Sequence, residues 1–557
     1  MPKKNDLVFV PLGGTGEIGM NCNLYGYGTG NEKEQQRDWI MVDLGVIFGK
    51  ADTPGVDLIM PDIAFIEQHI ENLHGLLLTH GHEDHIGAVA HLWPLLKCPI
   101  YATPFTAELV RGKLARAGLG DDALRIIAPD AHFKVGPFTI DYIGLTHSIA
   151  EPSALAIRCG DAKFLHTGDW KIDPDPVIGR PTESDKLKAF GDAGVDAIIC
   201  DSTNVLEAGR SGSEAEVGAV LTEIIADSPR RVVVTTFASN VARLTSIAQA
   251  AIATDRHFCL LGLGMHKIYR AARNTGYFTQ FPELVDEADA ASLPPEKLLI
   301  CCTGSQGENR AALTRLARGT HRHITLEAGD RVIFSSKRIP GNETEINELQ
   351  NQLACLDVEV ILPQGNDLHV SGHPCRDELV DMYSWVKPRA AIPVHGEHRH
   401  LIAHAELARE LGVKEPLRIR NGDMVRLAPA PTEIIDTVQN GRLYLDGDVL
   451  VSAQDEAVQT RRRLASDGVV FVVVPLDEYD NVVGEADVQM LGIANGESDI
   501  LENELRDGVA RAMGAFGKTV PPQIESDIAK AVRRILMRHW GKKPLVIVSF
   551  GQYDRDV

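Results

Sequence analysis

The sequence has little that would suit an oxidising compartment or a membrane. Its nine cysteines include no C-x-x-C pair, and only Cys301 and Cys302 are neighbours. That excludes a disulfide framework and predicts reduced, mostly buried thiols in a cytoplasmic protein. No apolar run approaches the roughly 18–20 residues that a membrane helix needs. The opening MPKKNDLVFVPLGG has two lysines but too short an apolar stretch for a signal peptide, and no small-residue cleavage site. Positive charge is scarce as well: 56 Lys and Arg face 77 Asp and Glu, a formal net charge of −21. Binding nucleic acid by bulk charge is thereby excluded, although divalent cations or a local basic channel can still attract phosphates. Repeats and low-complexity stretches are missing too. The composition is that of a globular protein, 44% hydrophobic and 24% charged, over a length that suggests about three domains.

Short apolar runs bounded by turn residues fill the first part of the chain. Leu7–Leu12, Trp39–Val42, Leu76–Leu78, Phe138–Leu145, Lys163–His166 and Ala197–Cys200 are predicted strands. From Asn204 to Leu362 the runs Arg231–Thr236, Leu298–Cys302 and Arg331–Ser336 alternate with helical stretches such as Glu308–Ala317 and Glu343–Leu353. That alternation predicts a mostly parallel sheet. Ala390–Val394 is a further strand and His400–Leu411 a further helix. The Ala428–Pro431 stretch predicts a linker. The tail, with strands Val469–Pro475 and Leu545–Phe550 and a helix over Ile528–Trp540, predicts a small α+β domain. Lys530, Arg533, Arg534, Arg538, Lys542 and Lys543 are expected to make a solvated basic face, with an RNA contact the alternative. Ile528, Val532 and Ile535 make an apolar stripe for a core or a subunit interface.

Six predicted strands end in a residue that can bind metal or carry a proton: Asp43, His80, His147, Asp169, Asp201 and His395. Ligands of α/β sheets collect outside the carboxyl ends of strands. The densest cluster is His80-Gly-His82-Glu-Asp84-His85. So many titratable groups in six residues cannot all pack or stay unsatisfied without a cation. His80 and His82 alternate on an extended loop toward one ion, while Asp84 and His85 aim at a second. His147 adds a third ligand to the first ion, Asp169 a bridging carboxylate and His395 a seventh ligand. Histidine and carboxylate without thiolate suit a catalytic Zn²⁺ site, with Mn²⁺ the alternative. A competing pattern, Gly14-Thr-Gly16-Glu-Ile-Gly19, matches a dinucleotide fingerprint, but no helix is predicted after it, so it is read as a tight turn near the metal loop.

These residues resemble the metallo-β-lactamase superfamily: the H-x-H-x-D-H motif at His80–His85, His147, and Asp169 within Thr167-Gly-Asp-Trp. Within it the chain resembles the β-CASP group of nucleases, since Asp201 in Asp201-Ser-Thr, His373 in His369-Val-Ser-Gly-His373 and His395 in Pro393-Val-His-Gly-Glu stand at that group's motifs. Gly13–Asn21, Phe237-Ala-Ser-Asn240 and Ile339-Pro-Gly-Asn-Glu343 are similar to the ribonuclease J family. The resemblance implies an α/β fold: an αββα metallo-β-lactamase sandwich over residues 1–203 and 363–427, an inserted parallel-sheet β-CASP domain over 204–362, a linker over 428–450 and a C-terminal α+β domain over 451–557. It implies a cytoplasmic, homodimeric or homotetrameric 5′→3′ exoribonuclease and endoribonuclease of RNA decay and maturation that prefers a 5′-monophosphate. Two divalent ions per chain hold a hydroxide for attack on the phosphodiester. In that scheme Asp84 belongs to the catalytic set, His373 protonates the leaving 3′-oxygen or stabilises its charge, and Asp201 orients it. Asp43 fixes a ligand imidazole by hydrogen bond. His369, Ser371 and Gly372 before one helix, and Ser239 and Asn240 before another, are candidate phosphate contacts, with helix capping the alternative for Ser and Asn. Lys337 and Arg338 either touch RNA or lie in a solvated loop. His321, His323, His398 and His400 are expected at the surface.

Three other functions compete. A small-molecule hydrolase such as a lactonase or thioesterase would not need a second domain over its site. An inactive RNA-binding scaffold is at odds with an intact ligand set. A DNA repair nuclease is separated only by a contact to the 2′-OH.

Overall fold

Runs of Val, Ile and Leu bounded by glycine and aspartate become strands whose alternate side chains meet across two facing sheets. A computed structural model of the chain describes residues 5–31, 34–50, 52–339, 341–363, 367–479, 481–494, 498–514 and 523–552. The start of the sequence at 1–4 and Pro340 of the Ile339–Glu343 motif lie outside the described residues. The chain divides into two units, residues 1–47 with 60–441, and residues 48–59 with 442–557.

In the larger unit an eight-stranded sheet runs in the order Glu433–Thr437, Asp423–Ala428, Asp6–Gly13, Cys22–Asn31, Glu34–Val42, Leu73–Leu77, Ile100–Ala102, Leu124–Ile126. A seven-stranded sheet has the order His132–Val135, Phe138–Gly144, Ser153–Cys159, Ala162–His166, Ala197–Asp201, Ala390–Val394, Glu415–Pro416. Phe9, Tyr25, Ile40 and Val42 of the first pack on Phe138, Ile157, Phe164 and Ile392 of the second. On the outer face of the second sheet, Leu165, Ile198 and Cys200 meet Leu379, Met382 and Leu407 of helices Arg376–Val386 and His398–Glu410. This is the αββα sandwich. Ala197–Asp201 pairs in parallel with Ala390–Val394, although nearly two hundred residues separate them, and the inserted region fills that gap.

The insertion carries a five-stranded parallel sheet in the order His257–Leu261, Leu298–Cys302, Val232–Thr235, Arg331–Phe334, Glu359–Ile361. It is apolar on both faces: Val232, Val234, Leu299 and Ile333 pack on one side and Val233, Ile300, Cys302 and Val332 on the other, as a sheet covered by helices on both sides requires. The helix predicted over Glu308–Ala317 is shorter, Ala312–Ala317. Gly307 has φ +77°, and Thr314 Oγ1 donates to Glu308 O at 2.9 Å, which holds Glu308–Ala311 in a turn.

The stretch 428–450, expected as a linker, is built into sheets. Glu433–Thr437 is an edge strand on Asp423–Ala428, and Arg442–Asp446 pairs with Val449–Ser452. In the smaller unit, residues 48–59 join this hairpin through Asp57 N, which donates to Leu445 O at 3.1 Å. The tail has Val469–Leu476 between antiparallel Asp487–Leu491 and parallel Leu545–Gln552. Helices Ser498–Gly514 and Ile524–His539 cover one face. Ile528, Val532 and Ile535 lie in that core, and Arg538 and His539 pair with Glu504. Among the described residues all nine cysteines are free and only Cys355 is exposed. No helix among them is long and apolar enough to cross a membrane.

Candidate metal centre

The carboxyl ends of strands from both sheets bring the donors together. Leu73–Leu77 leads to His80, Phe138–Gly144 to His147, Ala162–His166 to Asp169 and Ala390–Val394 to His395, while Asp201 closes Ala197–Asp201. His82 precedes and Asp84 and His85 lie within the short helix Glu83–Ile86. The donor atoms form three overlapping groups, each within 4.8 Å: His80, His82, His147, Asp169; then Asp84, His85, Asp169, His395; then Asp169, Asp201, His373, His395.

Asp169 belongs to all three groups. Its Oδ2 lies 3.1 Å from His85 Nε2 and 3.9 Å from His80 Nε2, His147 Nε2 and His373 Nδ1. Its Oδ1 is 3.3 Å from His395 Nδ1 yet has no hydrogen-bond partner although buried. A buried carboxylate oxygen left without a donor inside a ring of imidazoles fits a ligand shared between cations.

Electrostatics fit the same use. Burial pushes His80, His82 and His147 down, His82 to about 4. They are therefore neutral near pH 7, the state that ligates metal. Burial also opposes charge on His85 and His395, but the carboxylates around them, Asp169 foremost, override it and raise both, His395 to about 10. For Asp84 and Asp169 burial is likewise overridden by neighbouring imidazoles, which hold both low, Asp169 at about 2. In the polypeptide alone, protons on His85 and His395 thus supply the positive charge that the carboxylates demand. His373 is raised in the same way, against its burial, by Asp201 and Asp169. Its Nδ1 is 2.8 Å from Asp201 Oδ2, and its side chain keeps 21% exposure.

The donors are held from behind. Asp43 Oδ2 is 2.7 Å from His85 Nδ1 and accepts from Thr79 Oγ1 at 2.8 Å, and Thr79 Oγ1 is 3.0 Å from His80 Nδ1. Asn21 Nδ2 donates to Asp84 O at 3.1 Å and lies 3.0 Å from His85 Nε2. Thr203 Oγ1 sits 3.0 Å from His395 Nδ1 and donates to Asp201 Oδ1 at 2.7 Å. Asp43 and His395 have left-handed backbones, φ +63° and +50°, a strain tolerated where surroundings fix the residue for function. The glycine pattern at 14–19 is followed by strand Cys22–Asn31, not a helix; the turn ends at Asn21, whose N–H donates to Asp84 O at 2.9 Å.

The loop bearing His373 is clamped by residues that carry no motif signal. Glu378, fully buried, accepts from Ile172 N, Ser211 N, Ser211 Oγ and Cys375 N at 2.8–2.9 Å. One carboxylate therefore joins segments next to Asp169 and His373. Buried Arg243 pairs with Glu214 at 2.9 Å and donates to Leu368 O at 2.9 Å. Asn204 Nδ2 donates to Ser371 Oγ at 2.6 Å and His373 O at 3.1 Å.

The candidate phosphate contacts separate. Ser371 and Gly372 adjoin the donors: Gly372 O bonds His147 Nδ1, and a Cβ on Gly372 would lie 2.7 Å from the His147 ring. His369 Nδ1 is buried without a partner, and burial followed by nearby Arg243 pushes this imidazole down to about 3. Asn240, by contrast, is buried and spent as a cap, accepting from Arg243 N and donating to Glu214 Oε1, both at 2.9 Å. Ser239 precedes it, half-buried. Lys337 is exposed, 3.8 Å from Glu207. Of the four histidines expected at the surface, His321 and His400 are buried; both turn Nδ1 to backbone N–H groups, His400 to Glu397 N at 3.1 Å.

Four family descriptions match the chain: a beta-lactamase superfamily domain over 54–204, the ribonuclease J beta-CASP domain over 229–353, a Zn-dependent metallo-hydrolase RNA specificity domain over 362–417, and the ribonuclease J C-terminal domain over 456–552. Ribonuclease J of Sinorhizobium meliloti is 43% identical over 98% of both chains. The chain belongs to the ribonuclease J family. Ribonuclease J of Mycolicibacterium smegmatis is 35% identical over 96% of this chain and 95% of that one, and ribonuclease J 1 of Streptococcus pyogenes 35% over 98% and 97%. A solved structure of a protein of unknown function from Enterococcus faecalis shares the fold at TM-score 0.50 and 14% identity, covering 76% of this chain and all of that one. This ribonuclease J family member is thus a metallo-hydrolase in which His80–Asp201 fall in the lactamase match and His369–His395 in the RNA-specificity match.

Proposed function

We propose that the chain is a ribonuclease that removes nucleotides from the 5′ end of RNA, preferring a 5′-monophosphate, and also cuts internally. The observation that carries this reading is Asp169, whose oxygens lie within reach of both histidine groups and of the His373–Asp201 pair. Two divalent ions, Zn²⁺ first and Mn²⁺ second, would be held by His80, His82, His147 and Asp169 and by Asp84, His85, Asp169 and His395. When bound, they supply a hydroxide at neutral pH and offset charge on the phosphate oxygens. Asp43, Thr79 and Asn21 fix the imidazoles in orientation. Asp201 keeps Nδ1 of His373 engaged, so that Nε2 of this raised imidazole can donate a proton to the departing 3′-oxygen. His369, with Nδ1 buried and unpartnered, and Ser371, two residues before His373, are the groups that would take the terminal phosphate. The substrate is RNA, and family membership supports a homodimer or homotetramer, which sedimentation would test.

One RNA sequence with a 5′-monophosphate, with a 5′-triphosphate and as a closed circle decides the reading. Mononucleotide release fastest from the monophosphate, scission of the circle, and loss of both in His80→Ala are expected. Intact RNA with turnover of a thioester or lactone instead would sink it.

A further inference from the structure

We infer that the outward face of helix Leu263–Asn274, with the end of helix Pro104–Arg116, binds phosphates of the RNA strand beyond the metal centre. The inference rests on the ribonuclease reading and assigns a second contact region to the same substrate.

Helix Leu263–Asn274 buries Met265, Ile268, Ala271 and Ala272. At helical spacing the opposite arc carries Lys267, Arg270 and Arg273, all exposed. Asn274 Nδ2 donates to Glu108 Oε1 at 2.7 Å, which ties this helix to Pro104–Arg116. That second helix touches the metal loop: a Cβ on Gly81 would lie 2.7 Å from Leu109 Cδ1, and Lys113 pairs with Glu83, between His82 and Asp84. Arg111 is neutralised by Glu108 and Asp121. Arg116, Lys267, Arg270 and Arg273 have no ion pair among the described residues.

Four uncompensated cations on a chain of net charge −21 run against the overall composition. The two helices share a field at Lys267, whose ammonium is pushed down by burial and then by Arg116, with Lys113 adding and Glu83 opposing. The nearby carboxylates Glu108 and Glu83 are paired with Arg111 and Lys113, and like charges left without a partner repel unless an anion joins them. From Lys267 to Arg273 the helix rises about 9 Å, a line of positive charge starting one helix from the ligand loop. A strand of phosphates has the matching charge and extension.

The test compares the Zn²⁺-loaded His80→Ala protein with and without Lys267→Gln, Arg270→Gln and Arg273→Gln, all at exposed positions. Binding of 3′-labelled single-stranded RNA, as a tetranucleotide and as a long strand, is followed by fluorescence anisotropy across salt concentrations. The expected result is about tenfold weaker binding of the long strand, a salt slope reduced by about two (roughly 0.7 for each phosphate no longer neutralised), and an unchanged tetranucleotide. Unchanged long-strand affinity and slope, or equal weakening of both RNAs, would overturn the inference. Retained RNA affinity with lost binding of a poly-glutamate probe would assign the face to an acidic protein and overturn it too. If the His80-intact protein fails to hydrolyse either RNA, the ribonuclease reading fails, whereas the long-strand binding comparison still decides this face.

Discussion

The two parallel-strand regions of the larger unit are built on opposite principles. In the inserted sheet, Val232–Thr235 and Leu298–Cys302 are buried along their whole length among apolar neighbours. In the sandwich, Ala197–Asp201 and Ala390–Val394 are equally buried and Ala162–His166 is buried except at Lys163, but each runs into a titratable group, Asp169, Asp201 or His395, held by other such groups. Burying so many ionisable side chains costs stability unless each is partnered. The sandwich therefore spends fold stability on a site, while the insertion spends its sequence on packing.

The largest expected effect tests the sandwich side. Asp169→Asn, with one shared oxygen replaced by a donor, should lower RNA hydrolysis by at least about 10³-fold, while the melting temperature of the metal-free protein stays within a few degrees. The insertion should respond in the reverse sense. Leu299→Ala, fully buried, should cost about 2–5 kcal/mol in urea unfolding and leave turnover per folded molecule near wild type. Equal activity loss in both variants would erase the contrast.

Next in size, His373→Ala should slow RNA cleavage by about 10²-fold but spare bis(4-nitrophenyl) phosphate, whose leaving group needs no proton. Loss on both substrates would remove His373 from the acid role. Glu378→Gln turns an amide donor toward the backbone N–H groups that the carboxylate accepts, and should cost about 1–3 kcal/mol, read by the urea midpoint. No change would show that the four bonds do not clamp this loop.

The smallest effect concerns pH. His166 and His404 are both pushed down by burial to about 4, beside Tyr25 and between Ser202 and Tyr383. Above pH 6.5 both are neutral folded or unfolded. As pH falls from about 6.5 toward 4 the unfolded chain takes up protons that the folded chain refuses, so stability is lost across that window. Between pH 7 and 6 the loss is on the order of half a kcal/mol per group. Urea titrations of wild type and His404→Asn should show a shallower pH slope in the variant.

The ligand-type residues were legible because chemistry overrode packing at strand ends: an apolar run closing in His or Asp is conspicuous, and His80–His85 is dense. The layers of the sandwich and the inserted sheet followed from the periods of their apolar runs. Thr79, Arg243 and Glu378 were not legible, because Thr, Arg and Glu are ordinary residues until folding pairs them with groups far away in sequence; Asn21 and Thr203 stand inside motifs, but nothing in the motifs gives them His85 or His395 as partners. The linker expectation for 428–450 leaned on Ala and Pro at 428–431. Glu433–Thr437 is exposed along its whole length, so no alternation marks it as a strand. His400 was misplaced because a polar residue in a helix's first turn has the same sequence pattern whether it caps the backbone or faces water.

Metal content decides whether Asp169 is shared between two cations. Wild type and Asp169→Asn, stripped and reloaded with Zn²⁺ or Mn²⁺, would be compared by mass-spectrometric metal analysis. Two tightly held ions per chain are expected in the wild type, with a loss from both groups in the variant. One ion in the wild type, or two retained in Asp169→Asn, would contradict that sharing.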